Sequence, residues 1–217
     1  MRAAPTIRTS IDRVDAELVL AARSLSTATL HEAAGKIGAL PSAIKPLDTS
    51  ARVCGAALTV DSPGGDNLWL HRAIYAAQPG DVLVVRTASQ YEHGYWGEIM
   101  STAAAARGIA GLVIDACVRD GALLPSIDLP VFSRGLCIRG TGKDFGATGW
   151  INAPVLFDDV IVHPGDLIVG DADGVVCLPR ERVATILRSA SERDHQEAAI
   201  IERLKAGETT LDIYGWN

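Results

Sequence analysis

The chain has 217 residues, 48% hydrophobic and 21% charged, with a formal net charge of −6 at pH 7. That apolar content can build a sizeable core, so a single domain over 1–217 is expected. An acidic balance without any dense Lys/Arg cluster excludes the electrostatic footprint of a nucleic-acid binder.

In chain order, 13–24 and 26–38 carry apolar residues at helical spacing, with Ser and Thr as candidate caps and Gly38 as a stop. From Arg52 the texture changes to short β-branched runs bounded by Gly, Pro and Asp: VCGAALTV, DVLVVR, AGLVID, LPVFSR, APVLFDDVIV and GDLIVGDADGVVCLP. These read as strands, several buried on both faces. Helices are expected between them at 67–77 and 97–107, the latter closed by Gly108, and a long charged amphipathic helix at about 180–206. Strands alternating with helices, then a mostly β region and a terminal helix, give an α/β class with a mixed sheet. Pro79-Gly80-Asp81 and Pro164-Gly165-Asp166 each precede an apolar run, and a tight turn feeding a strand explains both without chemistry.

The four cysteines, Cys54, Cys117, Cys137 and Cys177, stand singly without CxxC spacing, so buried free thiols are expected rather than a zinc site or a disulfide framework. No run of about 18 apolar residues is present, and the N-terminal MRAAPTIRTSIDRVD lacks the apolar core of a signal peptide. A cytoplasmic protein with a small-molecule partner, no nucleic acid and no membrane is the expectation.

The chemistry concentrates in 93–120, HGYWGEIMSTAAAARGIAGLVIDACVRD. A helix over 97–107 leaves the first-turn amides of Ile99 and Met100 unpaired at the positive end of its dipole, a place for a carboxylate. Glu98 on the same turn is either a dipole-stabilised surface acid or part of a site. The turn after strand 109–114 delivers Arg119 and Asp120 to the sheet end where helix N-termini gather. Alone they read as a solvated loop pair. Beside Glu98 they supply a carboxylate for a hard divalent cation, a guanidinium for an enolate or carboxylate oxygen, and a second acid to hold water. That set suits enolate chemistry on a 2-oxo acid. A Schiff-base route is disfavoured, because Lys36, Lys45, Lys143 and Lys205 all sit in polar or Gly-rich settings.

Glu98 followed by twenty residues and Arg119-Asp120 resembles the acid-X20-Arg-Asp motif of the class II pyruvate aldolases, the 4-hydroxy-4-methyl-2-oxoglutarate and 4-carboxy-4-hydroxy-2-oxoadipate aldolase family. The similarity runs in order through STATLHEAAGKIG, PGGDNLWLH, QPGDVLVV, GYWGE, ARGIAGLVIDACVRD, LPVFSRG, GTGKDFGATGWIN, HPGDLIVGDADGVVCLPR and LDIYG. The resemblance implies a compact layered α-β-β-α sandwich related to swivelling phosphohistidine domains, assembled as a homotrimer or homohexamer with active sites between subunits. It further implies that Asp120 ligates Mg²⁺ or Mn²⁺, that Arg119 contacts the pyruvyl group, and that Glu98 holds metal-bound water. The amides of Ile99 and Met100 would bind the pyruvyl carboxylate, Glu32 and Asn67 would match further substrate-binding positions, and Asp194 or Glu197 would reach the water shell of a neighbouring subunit's metal.

Read without the resemblance, Glu32 is a solvated helix residue, Asn67 a plain N-cap, and Asp194 or Glu197 a partner for Arg193. His71 and His195 read as structural or surface residues, since hard cations prefer oxygen. The same family includes the regulator of ribonuclease activity A, in which glycine stands at the position of Glu98. Leu123 replaces an acid found in some relatives, and Arg72, Trp96, Lys143, Asp144 and Trp150 depart from the best-defined aldolases, which leaves the substrate open. The expected activity is metal-dependent retro-aldol cleavage of a 4-hydroxy-2-oxo di- or tricarboxylic acid to pyruvate and a second oxo acid, with oxaloacetate decarboxylation through the same enolate. The alternatives are a non-catalytic binding protein and a related lyase or decarboxylase on another 2-oxo acid.

Overall fold

The computed structural model describes residues 6–217. Two helices open it, α1 (Ala16–Ala22) and α2 (Thr27–Ala33). The Ser26 hydroxyl caps α2 by accepting from the Thr29 amide at 3.0 Å, as its sequence predicts. The helix ends before Gly35, not at Gly38, because Gly35 and Lys36 both take left-handed φ values, +84° and +63°, that no α-helix accommodates.

The sheet strands follow as β1 (Lys45–Pro46), β2 (Val53–Asp61), β3 (Asp81–Arg86), β4 (Gly111–Ile114), β5 (Val131–Ser133) and β6 (Trp150–Ile151). Helix α3 (Leu68–Ala76) joins β2 to β3, and α4 (Glu98–Ala105) joins β3 to β4. The runs APVLFDDVIV and GDLIVGDADGVVCLP each fold into a hairpin, β7 (Val155–Phe157) with β8 (Val160–Val162) and β9 (Leu167–Asp171) with β10 (Gly174–Leu178). A 23-residue helix, α5 (Val183–Lys205), and a short α6 (Thr210–Tyr214) close the chain. The short α6 is not among the helices that the sequence pattern predicts.

The main sheet runs β1-β5-β4-β3-β2-β9-β10, with β6 also on β2. Strands β2 to β5 are parallel and the remainder antiparallel, so the sheet is mixed as expected. The parallel strands are apolar without alternation because both faces are covered. Leu58, Leu83, Leu112 and Val131 pack with α3 and α4 on one side. Ala57, Val82, Val84, Val113 and Phe132 point to the other, where one cluster runs on to Val175 and Cys177 and takes in Val155, Phe157 and Val162 of the β7–β8 hairpin. One side of one sheet thus shares a single core from β5 to β10. The Lys45 ammonium, on β1, donates to the Asp173 carbonyl in the β9–β10 turn, joining the two ends of the strand order. The expected second β layer is therefore the nearly closed return of the same sheet together with the hairpin. A third cluster seats α1, α2 and the first half of α5 against β9 and β10.

The two Pro-Gly-Asp turns use one device. Gly80 and Gly165 sit at φ +88° and +87°, and the following carboxylate turns back to accept the amide three residues earlier, Gln78 to Asp81 at 2.8 Å and His163 to Asp166 at 2.9 Å. Asp81 also takes a two-pronged contact from Arg13 at 2.7 and 2.9 Å while almost wholly buried. All four cysteines are free, but only Cys117 and Cys177 are buried. Cys54 and Cys137 are only partly buried, a correction to the expectation: Cys54, on β2, packs at the margin of the third cluster beside a surface cleft, and Cys137 lies in the loop after β5.

Helix α5 buries only Val183, Ile186, Leu187 and Ala190. Its remaining 15 residues run roughly 22 Å onward at 1.5 Å each, exposing Ile201 and Leu204. No described helix is long and apolar enough to cross a membrane.

Asp81→Ala strands the Arg13 guanidinium and the Gln78 amide together, so the unfolding free energy should fall by about 3 kcal/mol. Urea titration measures it; a loss below about 1 kcal/mol would mean that the pair acts as an ordinary surface contact.

Candidate functional site

Four loops leave the C-terminal ends of the parallel strands β2, β3, β4 and β5, the end at which open α/β sheets gather ligands. They carry Pro63–Asn67, Gly94–Gly97, Arg119–Asp120 and Gly140–Asp144. Hydrogen bonds lock them together. The Gly142 amide donates to the Gly65 carbonyl at 2.7 Å and the Asn67 amide to the Gly142 carbonyl at 3.3 Å. The Asp66 carboxylate takes the amides of Leu68 and Asp144. Arg119 donates its amide to the Trp96 carbonyl at 2.8 Å, and Gly94 donates to Arg139 at 2.8 Å.

A cavity of about 430 Å³ opens between these loops, lined by Asn67, His71, Tyr95–Met100, Arg119, Asp120, Gly140, Thr141 and Lys143. Of the residues that the sequence and its resemblance assign to the site, Glu98, Ile99, Met100, Asn67, Arg119 and Asp120 line this cavity. A larger cleft of about 560 Å³ lies elsewhere, lined in part by Arg8, Asp12, His163 and Arg180. Its Arg180 is already paired with Asp12 and Glu181, so the smaller cavity is the better candidate for chemistry.

Asp120 adopts φ +61°, a left-handed conformation that Asp tolerates better than most residues at a cost of order 1 kcal/mol. That turn swings one carboxylate oxygen onto the Glu98 amide at 3.0 Å. Gly97 makes room, since a Cβ there would collide with this oxygen. Gly94 likewise lies against Arg119 and the Cys137 carbonyl, where a Cβ would not fit. Arg119 stands 3.9 Å from the same Asp120 oxygen and is half-exposed. With the Glu98 amide engaged, those of Ile99 and Met100 remain free at the N-terminus of α4, no acceptor for them being present among the described residues.

Asn67 does not cap α3 with its side chain; Asp66 does, through the Leu68 amide at 2.8 Å. The Asn67 amide nitrogen donates to the Tyr95 carbonyl at 2.9 Å, which leaves its oxygen buried without a partner. A buried orphan acceptor on a cavity wall is costly unless a ligand or water satisfies it. The plain N-cap alternative therefore fails on geometry. The phenol of Tyr95 is clamped, accepting from the Gly65 amide and donating to the Gln90 carbonyl, both at 2.7 Å.

The carboxylate of Glu98 and the second oxygen of Asp120 engage no side chain or amide among the described residues. No three His, Cys, Asp or Glu groups converge there or elsewhere among them. A donor set of one or two carboxylates beside open space fits Mg²⁺ or Mn²⁺, which retain waters and take up substrate oxygens, and does not fit a closed zinc site. Glu32, Asp194 and Glu197 do not line this chain's cavity. Glu32 meets Lys36 at 3.9 Å and Arg193 at 4.0 Å, and Arg193 pairs with Glu197 at 2.8 Å.

His71 and Lys143, which the sequence does not assign to the site, also line it. The signal available in sequence was spacing: His71 stands four residues after Asn67 in a helical segment, hence on the same face. Burial, aided by the Lys143 charge, holds the His71 pKa below 6.5.

A model of the RraA-like family, described as Aldolase/RraA, matches residues 24–177. The "Putative 4-hydroxy-4-methyl-2-oxoglutarate aldolase" of Halalkalibacterium halodurans is 33% identical over 87% of this chain and 89% of its own length. Among solved structures, an uncharacterised protein from Pseudomonas syringae pv. tomato aligns with a TM-score of 0.78 at 27% identity, covering 92% of this chain and 97% of that one. Streptomyces coelicolor RraAS2, titled an unusual member of the RNase ES inhibitor RraA family, aligns at 0.72 and 28% identity over 89% and 100%.

The His71 imidazole should titrate by NMR with a midpoint below 6.5, and Lys143→Met should move it upward. Between the native midpoint and about 6.5 the unfolded chain binds a proton that the native site refuses, so this residue's contribution to stability shrinks as pH falls through that window. A midpoint at or above 6.5 would contradict the assignment.

Proposed function

The chain belongs to the RraA-like, Aldolase/RraA family, and from that premise we propose that it is a divalent-metal-dependent class II pyruvate aldolase. It would cleave a 4-hydroxy-2-oxo di- or tricarboxylic acid to pyruvate and a second oxo acid, with oxaloacetate decarboxylation as a shared activity. The observation that carries this reading is the convergence on one cavity of a carboxylate, a guanidinium and two free helix amides: Asp120, Arg119, Ile99 and Met100.

Asp120 would hold Mg²⁺ or Mn²⁺, whose Lewis acidity would polarise the 2-oxo group of the substrate. The chain's own groups supply the remainder. The Ile99 and Met100 amides, at the positive end of α4, bind and orient the pyruvyl carboxylate. Arg119, fixed through its amide on the Trp96 carbonyl, places positive charge where the enolate oxygen develops when the C3–C4 bond breaks. The side chain of Asn67, held on the Tyr95 carbonyl, shapes the cavity wall beside these groups. Glu98 at the rim orders a water that delivers a proton to C3 of the enolate. Glu32, Asp194 and Glu197 belong to the α2–α5 face, so in this reading they serve the cavity of another copy, in a homotrimer or homohexamer with sites between subunits.

A ribonuclease-regulator-like binding role is favoured by the likeness to RraAS2, but it gives no part to the unpaired acceptor and amides of the cavity. Pyruvate release from 4-carboxy-4-hydroxy-2-oxoadipate and from oxaloacetate, coupled to lactate dehydrogenase, distinguishes the two. EDTA should abolish release and Mg²⁺ or Mn²⁺ restore it; full turnover in chelator would remove the class II reading. No release from either substrate would favour the binding role.

Asp120→Ala should abolish the response to metal. Arg119→Ala should lower turnover about 10²-fold or more with metal still bound, and a near-normal rate in either variant would reject that residue's role.

A further inference from the structure

The retro-aldol step needs a base as well as an electron sink. As the C3–C4 bond breaks, its electron pair passes toward the 2-oxo group, and the 4-hydroxyl becomes a carbonyl only if its proton leaves. The titratable and charged groups that face the cavity are Glu98 from α4, Arg119 and Asp120 after β4, Lys143 from the loop after β5, and Tyr95 and His71. Arg72, next to His71 on α3, lies instead over the Trp69 ring at 4.5 Å. Arg119 and Lys143 are cations, and Asp120 has an oxygen committed to the Glu98 amide. The Tyr95 phenol already donates to the Gln90 carbonyl, and burial raises its pKa.

Glu98 is already assigned to the water that protonates C3, which leaves His71 as the base not otherwise engaged. Its ring carries no hydrogen bond among those described, and it is half-buried in the cavity wall one helical turn beyond Asn67, whose oxygen is itself buried and unpaired. Both residues lie on one face of α3 and line the same cavity.

We propose that His71 is a catalytic residue that removes the proton of the substrate's 4-hydroxyl as the C3–C4 bond breaks. The assignment rests on the aldolase reading above. The O–H proton goes to the imidazole, the C4–O bond becomes a carbonyl, and the C3–C4 electron pair becomes the pyruvate enolate. C3 then takes a proton from the water ordered by Glu98, and the imidazolium returns its own to solvent, so no oxidant or reductant is needed. Burial and the nearby Lys143 charge, which keep the ring neutral near pH 7, match it to that task.

Oxaloacetate separates this role from a merely structural one. Its decarboxylation reaches the same enolate but has no hydroxyl proton to remove. His71→Gln should therefore slow cleavage of 4-carboxy-4-hydroxy-2-oxoadipate by about 10²-fold or more, in kcat more than in KM. Decarboxylation of oxaloacetate, and exchange of the pyruvate methyl protons in D₂O, should change by no more than about threefold. Those two readouts also establish that the variant is folded with its enolate site intact. Equal losses in all three would overturn the proposal in favour of a structural or enolate-side role, and unchanged cleavage would overturn it outright. A wild-type protein that releases pyruvate from neither substrate would bring down the aldolase reading first and this assignment with it.

Discussion

The carboxylate of Asp120 reaches the first amide of α4 across the bare backbone of Gly97, and the rest of the site is arranged around that contact. It ties the segment after β4 to the helix that follows β3, and so fixes where Arg119 stands relative to the Ile99 and Met100 amides. It also consumes the Glu98 amide, leaving the next two to face the cavity. Three local features make it possible: left-handed φ at Asp120, no Cβ at Gly97, and the Arg119 amide anchored on the Trp96 carbonyl. Each costs conformational freedom that the parallel strands beneath must offset.

Those strands do so with unbroken apolar runs. Because β2 to β4 are covered on both faces, their ends are rigid platforms, and all four site loops leave from the same ends. The loops then pair with one another, Gly65 with Gly142 and Trp96 with Arg119, so a cavity made of irregular backbone has few ways to collapse. Sites held in this way keep an unpaired acceptor such as the Asn67 oxygen from finding a partner by rearrangement. At the opposite end of β3, and again ahead of β9, the Pro-Gly-Asp turns spend their carboxylates on backbone amides, on Arg13 and on the Cys177 thiol. Identical residue types are structural at one end of the sheet and available at the other.

Charge is unevenly distributed in the cavity. Helix amides and Arg119 bring positive potential to it, while burial and the Lys143 charge hold the His71 pKa down and keep its ring neutral in a half-buried wall. A site of this kind can bind an anion and still keep a proton acceptor close to it, a combination that a uniformly cationic pocket would lose. Of the acids of the α2–α5 face, Glu32 and Glu197 are tied to Arg193, Asp194 and Glu197 lie on the exposed part of α5, and none of the three lines this cavity.

The sequence by itself determined the class of fold and the composition of much of the site. Short apolar, β-branched runs bounded by Gly, Pro and Asp marked the strands, and Ser26 and Gly108 bounded helices, because these depend on local sterics and on which faces must be buried. The spacing of Glu98 from Arg119-Asp120 was legible for a similar reason: one helix and one buried strand fill the interval, and their lengths leave little choice of where the ends fall. Only the tertiary structure decided the remainder. The α2 stop moved from Gly38 to Gly35, and the capping role fell to Asp66, not Asn67, because loops 63–67 and 140–144 pair across 78 residues of chain. His71 and Lys143 met only when α3 and the loop after β5 were brought to the same end of the sheet. The expected second β layer became one sheet turning back on itself, since strand order depends on pairings between distant segments that no local pattern encodes.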